Sequence, residues 1–474
     1  MRPPKVISWE HTLSDYEHKS VTATFASQLQ DLDRRFPDAS KLLRVIAFFD
    51  PESIPLEMLI TGAKAIVDTR QPQTRPPLTA SLLTLVQSPI ARQNVIAHLQ
   101  NRCLVTFHAG SESPTFHIHD LIQLVVSENT RSSGLEQELF EFAVELVCAA
   151  FMQIGDLESH EWWPRCELLV PHIQSLTTRQ DTSSKAKKAL LLANRRQGVY
   201  LSRRGRYVEA ESLFHSVIAD REQLFGPDDL DTLDAMNELA CVYRFRGRYV
   251  DAETLFGRVL GTRTTRLGPE HRDTLHTMYN LASVYHHQDR FDEAETLLKQ
   301  TLQSQESLFG LEDDHTLRTM NSLAHVYNEQ QRYDEADSLL TRVLQAREKR
   351  LGSEHYDTLC TKHALANVHI SQRQYDAAAA LFQQILRVWE TNLGSQHPDT
   401  LIAMYSLARV HASQCHYRDA KNLLMRVLAA RERILGLSHP QTQNAVKALA
   451  LVYEELGQLD DAKILKQRIL PSSS

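Results

Sequence analysis

Apolar and small residues recur with a fixed period of 42 residues along the C-terminal part of the chain. In each period a Leu-Ala pair is followed, three residues after the alanine, by a larger ring. Leu239, Ala240 and Tyr243 are one such set, and this spacing places them on one helical face. A second apolar helix follows, marked by Ala210, Ala252, Ala294, Ala336, Ala378, Ala420 and Ala462. A small residue lets crossing helices pack closely, so the pattern predicts seven helix–turn–helix units stacked in an α-solenoid.

The segments that interrupt these helices carry their own signals. Inside a unit the turn holds Gly205, Gly247 or Gly457, where we expect a positive φ. The residues that replace glycine at this position in the other units are Asp289, Gln331, Arg373 and Cys415. Between most units a Leu-Gly pair ends the second helix. In the following segment, His397-Pro-Asp-Thr-Leu, we expect Asp399 or Thr400 to be the N-cap of the next helix.

The N-terminal third lacks this period. Its apolar pattern predicts helices at about 21–35, 38–49, 56–65, 79–86 and 90–101. Two alternating segments, 103–108 and 114–119, then read as strands joined by a turn at 109–113. A helical cluster followed by a β-hairpin indicates a winged-helix-like domain, within an otherwise all-α chain. The predicted organisation is a tail (1–17), the winged-helix-like domain (18–130), a helical adaptor (131–187), the repeat array (188–470) and a second tail (471–474).

The recurring residues of the array resemble a known repeat. Leu-Ala-x-Val-Tyr, Gly-Arg-Tyr-x-Glu-Ala-Glu and Leu-Gly-x-x-His-Pro-Asp-Thr are similar to the 42-residue tetratricopeptide repeat (TPR) of kinesin light chains. The first unit departs from this pattern with Gln197-Gly198 in place of Leu-Ala, and the last has Leu459 in place of the aromatic residue. Such departures are expected of capping repeats. The resemblance implies a non-catalytic scaffold that binds proteins or peptides.

In TPR arrays the first helices of the units line the concave face, so the resemblance also implies a peptide-binding groove. The corresponding residues are Asn237, Tyr279, Asn321, His325, His363, Asn367, Tyr405 and Arg409. Flanking positions include Cys241, Arg244, His276 and Arg318. Side-chain amides suit a peptide backbone, and arginine with tyrosine suits acidic or aromatic groups. The alternative is that these are simply exposed polar positions of a solenoid.

The N-terminal domain carries a second resemblance. Ala39-Ser-Lys-Leu-Leu-Arg-Val-Ile-Ala-Phe-Phe-Asp-Pro, Asn101-Arg-Cys-Leu-Val and His117-Ile-His-Asp-Leu-Ile-Gln resemble the winged-helix module of NB-ARC regulators, which in fungal NOD-like receptors often precedes TPR arrays. His119 matches the family's MHD-type histidine, which senses a nucleotide phosphate. The chain contains no Gly-x-x-x-x-Gly-Lys-Ser/Thr phosphate loop. We therefore expect no bound cofactor and no ATPase activity, and a nucleotide-binding partner domain would be missing from this chain.

Composition narrows the classes of function further. The net charge is −7, and the segment 79–86 has no basic residue, so we do not expect nucleic acid as a partner. The six cysteines are scattered, which favours reduced thiols, and no signal peptide or membrane-spanning segment is evident. His117 and His119 alternate on one strand, but two ligands do not make a metal site. Catalytic motifs are absent from the sequence, and we expect a cytoplasmic protein that is not an enzyme.

Two hypotheses of function remain. The first is the TPR sensing arm of an NB-ARC-type (NOD-like) signalling receptor that lacks its nucleotide-binding domain. This chain would then be the C-terminal part of a longer receptor, or it would work without nucleotide. The second is a standalone adaptor, similar to a kinesin light chain, for cargo or complex assembly. Residues 1–130 show no sustained heptad pattern of the kind that binds a motor heavy chain, which favours the first hypothesis. The sequence leaves the ligand, the pathway and the oligomeric state open.

Overall fold

The computed structural model describes residues 15–69, 76–109, 113–155, 157, 162–179 and 182–468. Residues 1–14 in the first expected tail, residues 110–112 in the expected turn of the hairpin, and residues 469–474, which are the end of the expected array and the second tail, lie outside the described part. The described residues form two compact units, one ending at Gln197 and the other beginning at Gly198.

The first unit combines helices with a small sheet. Its elements are α1 (Asp15–Arg35), α2 (Pro37–Ile46), β1 (Ile54–Pro55), α3 (Leu56–Thr69), α4 (Pro77–Gln87), α5 (Pro89–Asn101), β2 (Thr106–His108), β3 (Thr115–His117), α6 (Asp120–Ser132), α7 (Glu136–Met152) and α8 (Trp163–Thr177). The three strands are antiparallel in the order β1-β3-β2, with Phe116 opposite both Ile54 and Phe107. The predicted α plus β-hairpin arrangement is confirmed. The pattern missed β1 because two residues are too few to show alternation.

The core of the first unit is held by close helix contacts and one buried charge. An ideal Cβ on Gly62 of α3 would lie 2.2 Å from the carbonyl oxygen of Leu146 in α7, so the two backbones meet where a side chain has no room. Arg44 of α2 is 6% exposed. Its Nη2 donates to Asp33 Oδ2 at 2.9 Å and to Asn129 at 2.6 Å, which joins α1, α2 and α6.

The repeat helices follow from residue 184 onward. They are α9 (Ser184–Arg203), α10 (Tyr207–Phe225), α11 (Leu230–Phe245), α12 (Tyr249–Leu267), α13 (Arg272–His287), α14 (Phe291–Phe309), α15 (Asp314–Glu329), α16 (Tyr333–Leu351), α17 (Tyr356–Ser371), α18 (Tyr375–Asn392), α19 (Pro398–Ser413), α20 (Tyr417–Leu435), α21 (Pro440–Glu455) and α22 (Leu459–Gln467). Each odd-numbered helix pairs with the next one, which gives repeats 1 to 7. The marker alanines of the second helices are buried, from Ala210 to Ala462. The predicted α-solenoid is confirmed.

The turns inside the repeats have the expected backbone. Gly205, Gly247 and Gly457 adopt φ values of 73–74°, and the four residues that replace glycine adopt values of 61–64°. These four residues are Asp289, Gln331, Arg373 and Cys415. A left-handed conformation costs little for glycine and more for a residue with a Cβ. The positive φ predicted for the three glycines is therefore confirmed, and the structure shows that the residues that replace them adopt it as well.

The expected N-cap was wrong. The N-cap of α19 is His397, not Asp399 or Thr400, and its Nδ1 accepts a hydrogen bond from the Asp399 backbone N–H at 3.3 Å. Pro398 is the first helical residue, where the N–H that proline lacks is not needed, so the helix begins earlier than the aspartate. The same register holds the N-caps Asp229, His271, Asp313, His355 and His439.

A series of buried arginines joins consecutive repeats. Arg263 is 2% exposed, and its Nη1 donates to the Asp273 carbonyl at 3.0 Å and to Thr277 Oγ1 at 2.7 Å. Equivalent bonds run from Arg347 to the Asp357 carbonyl and from Arg431 to the Gln441 carbonyl. Each arginine lies on the second helix of one repeat and bonds the first helix of the next. Sequence analysis missed this series, although the arginines share the 42-residue register with Arg221, Gln305 and Trp389.

Candidate functional site

The first helices of the repeats form the inner surface of the array. From α11 to α21, each first helix contacts the first helix of the next repeat. Their inner side chains therefore face a common interior.

This interior contains a cavity of about 220 Å³. It is lined by residues of repeats 1 to 5, namely Val199, Ser202, Arg203, Glu238, Cys241, Arg244, Phe245, His276, Tyr279, Asn280, Arg318, Asn321, Arg347, Tyr356, Asp357 and Cys360. Four arginines and two carboxylates are among them. The cavity thus has a positive excess, although the chain as a whole has a net charge of −7.

The buried basic groups of the wall influence one another. Burial lowers the pKa of the Arg347 guanidinium, the Asp357 carboxylate opposes this effect, and Arg318 lowers the pKa further. Arg347 is 2% exposed, and its Nε has no hydrogen-bond partner among the described residues. Burial, with added repulsion from Arg263, His315 and Arg318, lowers the pKa of His276 to about 4, so this imidazole is neutral at pH 7.

A tyrosine and two thiols also line the cavity. The Tyr356 hydroxyl donates to Asp399 Oδ2 at 2.5 Å, and burial together with this carboxylate raises the Tyr356 pKa well above its ordinary value. Burial raises the pKa of the Cys241 thiol to about 12, and it also raises that of Cys360. Both thiols are therefore protonated at neutral pH and are weak nucleophiles.

The predicted groove residues occupy different environments. Tyr279 and Asn321 line the cavity, and so do the flanking Cys241, Arg244, His276 and Arg318. The other six predicted residues, Asn237, His325, His363, Asn367, Tyr405 and Arg409, lie on the first helices but not in the cavity wall.

Several of these six residues have partners inside the protein. Asn237 is 2% exposed, and its Oδ1 lies 3.4 Å from Thr277 Oγ1. The Asn367 amide lies 3.2 Å from His363 Nδ1. The Tyr405 ring lies 5.1 Å from the Arg431 guanidinium, whereas Arg409 is exposed. Burial lowers the pKa of His325 to about 3 and that of His363 to about 4, so both rings are neutral at pH 7.

Sequence analysis missed Arg203, Arg347, Tyr356 and Asp357 as residues of the cavity. Arg347 belongs to the buried arginine series, so its 42-residue register could have indicated it. No local signal marks Arg203, which lies at the end of α9 and reaches the cavity because repeats 1 and 5 face each other.

The described part of the chain shows neither a metal-binding cluster nor a membrane-spanning helix. No described group of three or more His, Cys, Asp or Glu residues is arranged to hold a metal ion. Among the described helices, none combines the length and apolar character needed to cross a bilayer.

Stacked helix–turn–helix pairs, here with a period of 42 residues, are typical of the class of tetratricopeptide repeat proteins. The family profile described as "Tetratricopeptide repeat" matches residues 189–265, 246–307, 273–349, 315–391 and 357–433. Together these matches span just over half of the 474 residues. The chain therefore belongs to the tetratricopeptide repeat family.

Solved structures of several repeat proteins are similar to parts of the chain. A candidate kinesin light chain from Podosopora anserina with nearly identical TPR-like repeats is 29% identical, covers 42% of this chain and 95% of its own, and has a TM-score of 0.33. A STAND protein with a tetratricopeptide repeat sensor from Pyrococcus horikoshii is 13% identical over 94% of this chain and 65% of its own, with a TM-score of 0.44. NprR in complex with its cognate peptide NprX is 15% identical over 69% of this chain and 89% of its own, with a TM-score of 0.49. No curated protein sequence matches the chain.

Proposed function

We propose that the repeat array binds a protein or peptide and recognises an acidic group of it in the inner cavity. The observation that carries this proposal is the set of four arginines, Arg203, Arg244, Arg318 and Arg347, around one cavity. Guanidinium groups form strong, oriented hydrogen bonds with carboxylates, and a shielded position makes these bonds stronger than on an open surface.

The size of the cavity limits what can enter it. A volume of about 220 Å³ lies below the range of roughly 300–1,000 Å³ that is common for small-molecule pockets. It suits one side chain or a chain end rather than a folded domain. Asn280, Asn321 and Tyr279 add hydrogen-bonding groups to the same wall, and the Asn321 Oδ1 has no hydrogen-bond partner among the described residues. We propose that this amide accepts a backbone N–H of the ligand.

The remaining predicted groove residues would extend the binding surface beyond the cavity. Arg409 is exposed on α19, and Tyr405 and Asn367 lie partly exposed on the same inner helices. In this proposal the acidic group is held in the cavity, and the adjoining chain runs along these residues. The buried Asn237 would support α11 rather than touch the ligand directly.

Selection of random peptides displayed on phage tests this proposal on the full chain. We expect enrichment of Asp and Glu, and loss of that enrichment with the Arg244→Ala/Arg318→Ala double variant. Arg258→Ala is the matched control, because Arg258 is half-exposed on α12 and pairs with Glu222 away from the cavity. Equal enrichment of acidic peptides by the double variant and the control would exclude the cavity as the recognition site.

For the first unit we propose the winged-helix module of an NB-ARC-type receptor, with the array as its cytoplasmic sensing arm. The sheet order β1-β3-β2 with a β2–β3 hairpin supports this proposal. His119, at the position of the MHD-type histidine, is the exposed N-cap of α6, and its Nδ1 accepts from the Leu121 N–H at 3.3 Å. A nucleotide-binding partner domain would then act together with this unit.

Sequencing of the transcript through its 5′ end separates the receptor from the alternative function. An in-frame phosphate-loop segment upstream would support the receptor. A transcript without that segment would favour the standalone adaptor for cargo or complex assembly, with which the TPR signature of the repeats is equally compatible.

A further inference from the structure

Repeats 6 and 7 contact repeats 1 and 2 across the inside of the array. His397 Nε2 donates to the carbonyl of Arg203 at 3.0 Å, and His439 Nε2 donates to the carbonyl of Phe245 at 3.0 Å. In both pairs the two residues are 194 positions apart. The second contact is thus the first one moved by one repeat. We call these two contacts, with the residues beside them, the repeat closure.

The two histidines use both ring nitrogens. His397 Nδ1 accepts from the Asp399 N–H at 3.3 Å, and His439 Nδ1 accepts from the Gln441 N–H at 3.1 Å. Each ring therefore caps its own helix and reaches a distant carbonyl at the same time, which fixes the Nε2–H tautomer. His271 and His355 cap their helices in the same way but are exposed.

The prolines that follow the two histidines pack closely against glycines of repeats 1 and 2. An ideal Cβ on Gly205 would lie 3.1 Å from Pro398 Cγ, and one on Gly247 would lie 2.8 Å from Pro440 Cδ. The two prolines thus pack against backbone that has no room for a side chain. The equivalent turn position in repeats 3 to 6 holds residues larger than glycine, namely Asp289, Gln331, Arg373 and Cys415.

The residues on the other side of the contact also differ from those at the equivalent positions of other repeats. His-Pro occurs at the start of the first helix in repeats 6 and 7, at His397-Pro398 and His439-Pro440. At the equivalent place repeats 3 and 5 have His-Arg and His-Tyr. Glycine in repeats 1 and 2 therefore meets His-Pro in repeats 6 and 7, whereas Gly457 of repeat 7 has no described atom within 4 Å of an ideal Cβ.

The closure adjoins the wall of the cavity. Arg203 supplies both the carbonyl that accepts from His397 and a side chain that lines the cavity. Tyr356 lines the opposite wall, and its hydroxyl donates to Asp399, two residues after His397. The start of α19 thereby connects the wall of repeat 1 to the wall of repeat 5.

We propose that the repeat closure is a releasable latch beside the cavity, and that the array opens at this contact to widen access to the interior of the cavity. The closure consists of only two hydrogen bonds to carbonyls and two proline–glycine contacts. Opening it locally therefore costs less free energy than unfolding the array. Separation at this contact moves the wall of repeat 1 away from that of repeat 5. The proposal concerns access to the cavity and holds whatever ligand the cavity takes.

The thiols of Cys241 and Cys360 report on this opening without any ligand, because both line the cavity. The experiment measures the rate of N-ethylmaleimide labelling of each cysteine in the full chain by mass spectrometry. His397→Asn/His439→Asn is the test variant, because asparagine is a good N-cap but is too short to reach the distant carbonyls. We expect labelling of both cavity thiols on the order of tenfold faster, as follows from the loss of two hydrogen bonds in an opening equilibrium.

Matched controls separate the latch from general destabilisation. His271→Asn/His355→Asn makes the same substitution at two exposed N-caps outside the closure and should leave the labelling rates unchanged. Cys148 and Cys166, buried in the first unit, should label at the same rate in all variants. Equal labelling of Cys241 and Cys360 in the two double variants would overturn the proposal.

A glycine pair gives an independent test. Gly247→Ala and Gly457→Ala introduce the same strain, since both glycines have φ 73°. Only Gly247 packs against the closure, whereas no described atom lies within 4 Å of an ideal Cβ on Gly457. Faster thiol labelling is expected for Gly247→Ala alone, and the same rate in both variants would contradict the latch.

Discussion

Replacing Arg263 by methionine should destabilise the repeat array by about 3 kcal/mol. The guanidinium is 2% exposed and donates to the Asp273 carbonyl, to Thr277 Oγ1 and to the Asp234 carboxylate. Methionine has a similar length and an apolar body, so the core stays filled while all three bonds are lost.

The size of the loss in unfolding free energy follows from the hydrogen bonds and the ion pair that Arg263 makes. A hydrogen bond from a charged donor contributes roughly 1.5–3 kcal/mol, and breaking a buried ion pair costs roughly 3–5 kcal/mol. Asp234 keeps about a third of its side-chain surface exposed, so water can solvate it once the arginine is gone. The estimate therefore lies at the lower end, at about 3 kcal/mol.

Urea unfolding of the full chain, followed by circular dichroism, measures the effect on the transition that carries the repeat helices. The control is Arg258→Met on the same helix, which removes a half-exposed arginine that pairs with Glu222 at 3.2 Å. An exposed pair of this kind contributes at most about 1 kcal/mol. Unfolding free energies of the two variants within about 0.5 kcal/mol of each other would refute the structural role of the buried arginine series.

Three further changes test other features of the structure. Gln331→Gly should stabilise the array by about 0.5–1 kcal/mol, because Gln331 holds a φ of 64° that favours glycine; a lower melting temperature in calorimetry would contradict this. Acidification should destabilise the array between pH 6.5 and about 4, because the pKa of His276 and of His363 is 6.5 in the unfolded chain and about 4 in the folded one. The unfolded chain binds more protons in this window, so stability is complete above it and is lost as the pH falls, and urea midpoints that do not change from pH 7 to 4.5 would exclude this linkage. Gly62→Ala should destabilise the first unit by about 2 kcal/mol, because its Cβ would collide with the Leu146 carbonyl; unchanged resistance of that unit to limited proteolysis would argue against it.

Features that depend on neighbouring residues were accessible from the sequence. The marker alanines, the number of repeats and the positive φ of the turns follow from helical periodicity and the conformational range of glycine, which act over a few residues. The N-cap at His397 was missed because histidine is not among the usual capping residues. The N-cap was therefore predicted two or three positions later. The strand β1 was missed because two residues carry no pattern.

The candidate site was predicted only in part. The resemblance to TPR arrays, applied through the repeat register, placed Tyr279 and Asn321 on the inner face, and both line the cavity. The register could not show that Arg203 and Tyr356, from repeats 1 and 5, share that cavity.

The sequence by itself thus determined the repeat, its helices and its turns, since each depends on residues within one period. The tertiary structure decided which repeats meet, because small rotations between neighbours add up along the array. Only that sum brings His397 to the carbonyl of Arg203, 194 residues away, and places the four arginines around one cavity. Once the contact is known, Gly205, Gly247 and the two His-Pro pairs are recognisable in the sequence as the residues that permit it.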